Sequence, residues 1–312
     1  SSHKRVGVQV PPRTQNLIHF QLSGVVVITR EIPSLELDID LQPMNLSPAI
    51  QFSVDHARKS KADKKILTIT GAGISTDSGI PDYRGEGHVE KHPMTFETFT
   101  GSHASRARYW ARSYVGWQRI IAAKPNNAHE LIAKTNHPVI TQNVDGLHQQ
   151  AGSTDVLELH GTLSRVVCLG CGSIISREEM DRRLHDLNPN AVRDLDVEIS
   201  PDGDAEIEVT DDFSVPDCGH CGGFYKPDVV FFGESVPQSR ARKADQLVEQ
   251  SEGLLVLGSS LSVNSGLRLV KAALKQQKPV VIVNRGQTKA DGMVTAKINA
   301  SITEVLPGLI DA

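Results

Sequence analysis

Cysteine is scarce in this chain, and long apolar stretches are missing. Only four cysteines occur among 312 residues, which argues against a disulfide scaffold, because such modules are short, secreted and dense in cysteine. Apolar runs such as 254–257 and 280–283 fall far short of the ~20 residues that a membrane-spanning helix needs. An excess of basic charge is also absent: 33 Lys and Arg stand against 37 Asp and Glu, a net charge of -4. Binding of nucleic acid by phosphate neutralisation needs a basic surface, so no nucleic-acid partner is expected. The basic runs at 58–65 and 106–119 read as solvated faces. Apolar residues at 39% and charged residues at 22% are ordinary globular usage and exclude a disordered or collagen-like chain. What remains is a soluble folded protein of one large or two moderate domains, expected to be a monomer.

The first sixty residues differ from the rest. Residues 1–30 contain no acid, against Lys4, Arg5, Arg13 and Arg30. That bias suits a targeting peptide, but Pro11-Pro12 and the β-branched run 24–29 favour an extended segment over an amphipathic helix. Residues 1–60 are therefore read as an extension, either a tail or an extra strand.

Beyond residue 65 short apolar runs alternate with helical patterns. The runs 66–70, 138–141, 254–257 and 280–283 each end in Gly, Ser, Asn or a polar turn, as buried parallel strands do. Segments 239–252 and 265–277 carry apolar residues at helical spacing. The pattern predicts an α/β fold with a doubly wound, Rossmann-like parallel sheet. Two segments break the alternation and are expected to form a smaller domain. Segment 85–124 is helical, with Trp110, Tyr114, Trp117 and Ile121 on one face; segment 161–225 holds every cysteine. The larger domain then comprises 61–84, 125–160 and 226–312. Six acids within 202–212 read as a solvated loop.

The cysteines fall in two C-x-x-C pairs, Cys168 with Cys171 and Cys218 with Cys221, separated by 46 residues. Two such knuckles supply the four thiolates of a closed tetrahedral Zn2+ shell, which leaves no open position for a substrate and so reads as structural. Zinc-bound thiolates fit a reducing compartment, the cytoplasm or the mitochondrial matrix. After the first strand, Gly71-Ala72-Gly73-Ile74-Ser75 supplies small residues where a backbone can approach a pyrophosphate. It departs from the dehydrogenase fingerprint, because Thr76 stands where a third glycine belongs. Gly258-Ser259-Ser260 and Asn284 end two further strands, so a nucleotide is expected along this sheet edge, and not for hydride transfer. Gln142, Asn143 and Asp145 cluster after another strand, either as a polar turn or as a ring of donors and acceptors around a sugar and an amide. His160 ends the alternating run 157–160, where an imidazole is placed for general-base work.

Taken in order, GAGIS, GIPDYR, TQNVDGLH, ELHG, the two C-x-x-C pairs, KPDVVFFGE and GSSLSV resemble the sirtuins, the NAD-dependent protein deacylases, over roughly residues 60–312. Asp82-Tyr83-Arg84, the run RYWARSYVGW at 108–117 and the long insertion between the cysteine pairs are most similar to the class II branch, which includes a mitochondrial sirtuin linked to lipoamidase and ADP-ribosyl transfer.

The resemblance implies that NAD and acyl-lysine proteins or peptides are the reactants. The acyl amide oxygen would attack C1' of the nicotinamide ribose. His160 would then act as base on the ribose hydroxyls and water would complete the transfer, giving lysine, nicotinamide and O-acyl-ADP-ribose. It further implies that Gln142 and Asn143 orient the ribose and Asp145 binds the carboxamide. Gly71, Ala72, Gly73, Ser75, Asp82, Tyr83 and Arg84 would line the cofactor loop, with Gly258, Ser259, Ser260, Asn284, Gly286 and Ile302 toward the adenosine half. The stretch Val230, Phe231, Phe232, Gly233 and Glu234 would pair with the substrate backbone. Tyr109 and Arg112, on one helical face, resemble the Tyr-x-x-Arg pair that holds acidic acyl chains, although packing of Tyr109 and solvation of Arg112 are an equal alternative. The competing expectations are a mono-ADP-ribosyltransferase on the same fold and a non-catalytic binding module. His160 favours deacylation over both.

Overall fold

The computed structural model describes residues 5–8, 37–40, 66–83, 93–193, 197–207 and 213–310. The extended run 24–29, Arg84 and part of the acidic segment lie outside the described residues.

The four short apolar runs form strands because each is a β-branched or leucine-rich stretch with both faces covered. They are β3 (Ile66–Thr70), β4 (Val139–Thr141), β9 (Gly253–Leu257) and β10 (Val280–Val283). All four residues of β10 are buried, and each such side chain contributes about 1.5–3 kcal/mol on leaving water. With β5 (Val156–Glu158) and β11 (Ala296–Ile298) they make a six-stranded parallel sheet ordered β11-β10-β9-β3-β4-β5. Chain order runs outward from β3 to β4 and β5, then returns to β9 and continues outward on the other side. The expected doubly wound sheet is thus present, and the strand order reverses between β3 and β9, where such folds open a crevice at the strands' carboxyl ends.

Helices cover both faces. Residues of α6 (Gln238–Gln250) and α7 (Asn264–Lys275) share one apolar core with the sheet, and those of α3 (Asn127–Thr135) and α8 (Ile302–Ile310) share another. Two shorter elements, β1 (Arg5–Val8) and β2 (Leu37–Asp40), pair antiparallel near the N-terminus.

A third core joins the two segments that break the alternation. It draws on α1 (Phe96–Gly101), α2 (His103–Ala122), α5 (Arg177–Leu187) and an antiparallel sheet of β6 (Gly161–Cys168), β7 (Ile174–Ser176) and β8 (Tyr225–Val229). Trp110, Tyr114 and Trp117 are buried on α2 as expected, but Ile121 is 46% exposed and Ile120 takes the inward position. By helix geometry Ile121 stands about 20° from Trp110 and so stays on the face of the stripe; its exposure comes in the last turn of α2, where that face is no longer covered.

The acidic segment also departs from expectation. Its described part does not simply lie in solvent: residues 199–205 form a turn seated on α2, with Asp204 buried. The Ala205 N–H donates to the Arg112 carbonyl at 3.2 Å. Close backbone approach makes this possible, since a Cβ on Gly116 would stand 2.0 Å from the Gly203 carbonyl oxygen. Gly116→Ala is accordingly expected to lower unfolding free energy by about 1–3 kcal/mol by overpacking. A urea midpoint unchanged from the original chain would show that the turn is not seated there.

Candidate active site and metal centre

The crevice between β3 and β9 is built by two glycine loops that interlock. Gly71 donates its N–H to the Leu257 carbonyl at 3.1 Å and Gly73 to the Gly258 carbonyl at 2.9 Å. Any Cβ here collides with backbone: one on Gly258, at φ +61°, would lie 2.5 Å from the Ile74 nitrogen. Bulk is excluded along both rims, which leaves a surface where backbone can lie close to an extended ligand.

Polar side chains from three strand ends converge on this loop. Ser75 donates to Asp145 Oδ2 at 2.7 Å and accepts from Asn143 Nδ2 at 3.0 Å. Asp145 Oδ1 also accepts the Leu147 N–H at 2.9 Å, where α4 (Leu147–Gln150) begins. Ser259 donates to Gln142 Oε1 at 2.6 Å. Gly266 on α7 leaves room for that amide, because a Cβ there would meet Gln142 Nε2 at 2.8 Å. Ser75, Gln142, Asn143, Asp145 and Ser259 thus form one fixed array.

His160 stands beside it, after β5. Its Nδ1 lies 3.0 Å from the Gln142 carbonyl oxygen and its Nε2 lies 2.7 Å from Ser265 Oγ. A carbonyl can only accept, so Nδ1 carries the hydrogen and Nε2 presents its lone pair to the serine hydroxyl. Burial pulls the imidazole below its usual pKa, with the Gln142 carbonyl opposing and the Arg240 charge adding to the fall. The ring is therefore neutral at physiological pH, as a general base must be. Ser265 escapes a reading of the sequence alone; its only signal there is its place at the start of a helix following the Gly258-Ser259-Ser260 turn.

The other expected cofactor contacts lie along the same edge or beneath it. Asn284 follows β10, with its N–H on the Ile298 carbonyl and its amide on the Arg285 carbonyl. The Gly286 N–H donates to Asn299 Oδ1 at 2.9 Å. Ile302 is 7% exposed and packs in the core that holds Ile74, so it supports the loop from below. Tyr83 sets its ring 5.9 Å from that of Phe232.

The stretch after β8 is not a regular strand beyond Val229. The Val230 N–H donates to the His160 carbonyl at 2.7 Å and the Phe232 carbonyl accepts the Phe96 N–H at 2.9 Å. Glu234 turns back on its own loop, accepting the Phe231 N–H at 2.9 Å and pairing with Lys226 at 3.1 Å. These bonds fix the stretch beside His160 and leave Phe232 41% exposed.

Tyr109 is buried among Phe99, Trp110 and Phe231. Burial first, and the Asp204 and Asp202 charges next, raise its phenol well above the usual tyrosine range, so it stays protonated. Arg112 is not simply a solvated charge: its Nε donates to the Ala205 carbonyl at 2.9 Å, and its Nη2 lies 3.4 Å from Glu206 Oε1.

A separate cluster lies at the end of β6. The β6–β8 pairing sets Cys168 opposite Tyr225 and so brings the two C-x-x-C turns together. The four sulfurs lie within 4.8 Å of one another, with Cys168 and Cys221 at 3.5 Å and Cys171 and Cys218 at 3.8 Å. A tetrahedron of Zn–S bonds of about 2.3 Å has edges of about 3.8 Å, so the set fits Zn2+. Backbone N–H groups of Gly170 and Gly223 each donate to a sulfur at 3.3 Å, which favours thiolates. No disulfide joins these cysteines. The chain is expected to bind one zinc per molecule; Cys218→Ser should abolish it and melt the small sheet. Full zinc by elemental analysis at an unchanged melting temperature would refute a structural site.

Comparison with known proteins identifies the family. Residues 71–265 match the Sir2 family. The chain is 49% identical over 255 residues to NAD-dependent protein deacetylase 1 of Streptomyces coelicolor, covering 79% of this chain and 85% of that protein. It is 46% identical over 258 residues to NAD-dependent protein deacylase Sirt4 of Drosophila melanogaster, covering 79% and 82%. Among solved structures it is similar to a Sir2–p53 peptide–NAD+ complex, with a TM-score of 0.66 at 31% identity over 84% of this chain and 97% of that one. It is likewise similar to Sir2 bound to acetylated peptide, with a TM-score of 0.64 at 30% identity over the same shares.

Proposed function

Because the chain belongs to the Sir2 family of NAD-dependent protein deacetylases and deacylases, we propose that it removes acyl groups from protein lysine side chains with His160 as general base. The observation that carries this reading is the neutral imidazole of His160, its Nε2 lone pair on a hydroxyl 2.7 Å away, beside a fixed array of amide and carboxylate groups. NAD, when bound, supplies an electrophilic ribose carbon with nicotinamide as leaving group. The interlocked glycine rims suit a pyrophosphate, and small residues at 71–73 and 258 leave it room. Gln142 and Asn143, each held by a serine, present amide groups that suit ribose hydroxyls. Asp145, with one oxygen on Ser75 and the other on a backbone N–H, is held to receive a carboxamide N–H. His160 Nε2 would take a proton from a ribose hydroxyl that then attacks the acyl carbon; with the amide oxygen bonded to C1' in place of nicotinamide and one water consumed, lysine would leave and O-acyl-ADP-ribose would form.

For the acyl end, Tyr109 and Arg112 are the candidate readers of an acidic chain. The Glu206 carboxylate on Arg112 has the same chemistry as the end of a succinyl or glutaryl group, so an acidic acyl chain would have to displace it. Glu206→Gln should therefore raise turnover of succinyl-lysine relative to acetyl-lysine in a mass-spectrometric peptide assay. An unchanged ratio would remove Arg112 from acyl selection.

The test of the main reading uses NAD with peptides carrying acetyl, succinyl, glutaryl, hydroxymethylglutaryl, lipoyl or biotinyl lysine. His160→Gln should lower turnover by about 10²-fold or more, with NAD binding retained. Since burial depresses the folded pKa, the base form persists through pH 6.5 and the acid limb of kcat/KM should lie below that value. An acid limb above pH 6.5, or turnover unaffected by the substitution, would place the base elsewhere. Label from NAD retained on protein with no peptide product would favour ADP-ribosyl transfer instead.

A further inference from the structure

Beneath the cofactor loop two histidines that the reaction does not use face each other in the core. His129 on α3 is 0% exposed and His148 on α4 is 1% exposed, with their ring centroids 4.9 Å apart. Each uses one nitrogen: His148 Nε2 lies 2.9 Å from Thr70 Oγ1, and His129 Nδ1 lies 3.1 Å from Asn126 Oδ1. The other nitrogens, His129 Nε2 and His148 Nδ1, are buried without a hydrogen-bond partner. Unpartnered buried polar atoms are costly, and an apolar pair of similar shape would avoid that cost, so the retained contacts call for an explanation.

Both contacts lead to the loop. Thr70 is the last residue of β3, immediately before Gly71. Asn126 donates its amide to the Ile74 carbonyl at 2.8 Å and to Ser78 Oγ at 3.0 Å. The loop that carries Ser75 is thereby tied at its start by one imidazole and across its middle, through Asn126, by the other.

We propose that His129 and His148 are positioning residues for cofactor binding, holding the 70–78 loop in the conformation that receives NAD. This rests on the reading of that loop as the NAD loop. Neutral rings suit the role, because a charge on either would be buried against the other. Burial, with His129 next, takes His148 down to about 3; burial also lowers His129, with Asp145 opposing.

The test compares His148→Leu and His129→Leu with the conservative His148→Gln, whose amide reaches the Nε2 position, and His129→Asn, whose amide reaches Nδ1. Each is measured by calorimetric NAD binding and by steady-state kinetics on the full chain. Each leucine variant should weaken NAD binding and raise KM for NAD about five- to tenfold, as the loss of one hydrogen bond implies. KM for acyl peptide and kcat at saturating NAD should stay within about twofold, and the amide variants should restore NAD binding. Folded leucine variants with unchanged NAD affinity would overturn the proposal. So would a fall in kcat with both KM values unchanged, the signature of a merely structural pair. Should the leucine variants not fold, Thr70→Val removes the hydroxyl partner at nearly constant volume, and unchanged NAD affinity there overturns the His148 arm. An original chain that binds no NAD would instead refute the reading of the loop.

Discussion

The close passage of two backbones at the carboxyl ends of β3 and β9 is the contact on which the rest of the site depends. Gly71, Gly73 and Gly258 let the loops exchange hydrogen bonds at distances no side chain would permit. Because the strand order reverses there, the two loops lie where such folds open a crevice at the carboxyl ends of the strands. Gln142, Asn143 and Asp145, proposed above to face NAD, are each held by a partner from a different strand end: Gln142 by Ser259, and Asn143 and Asp145 by Ser75. Such cross-bracing fixes orientation before a ligand arrives, which lowers the ordering cost of binding.

The inserted segments share one apolar core. The α2 helix packs its aromatic face against the small sheet, and Trp110 donates its indole N–H to the Tyr225 carbonyl at 3.2 Å. Arg177, 1% exposed, bridges the same helix through the Ser113 carbonyl and lies over the Trp117 ring. Four clustered thiols lock the far end of that sheet. Together these contacts carry residues 230–234 to the flank of His160, since the Val230 N–H is bonded to the His160 carbonyl. A zinc held by four thiolates would leave no open position for a substrate and would act through the fold.

Histidine serves opposite ends in the two layers of the site. His160 offers its Nε2 lone pair to a hydroxyl, and burial lowers its pKa, as the proposed base role requires. His129 and His148 are sealed from solvent, and burial lowers the pKa of both. The difference follows from place: one ring ends a strand at the crevice, and the others lie between helices under it.

Much of this was legible in the chain itself. Short β-branched runs ending in glycine or a polar turn specify buried parallel strands, and paired C-x-x-C knuckles specify four thiolates, because both signals are local and follow from backbone geometry and ligand chemistry. Ordered motif blocks identify the family for the same reason. The His160–Ser265 contact spans 105 residues and the Ser75–Asp145 contact 70, and neither has a periodic trace. The seating of the acidic turn on α2 hangs on Gly116 and Gly203 meeting, which buries Asp204 in a run that reads as solvated. Local patterns determine which elements form. Only the tertiary structure, through burial and the approach of distant backbones, decides which polar groups meet and which of them remain charged.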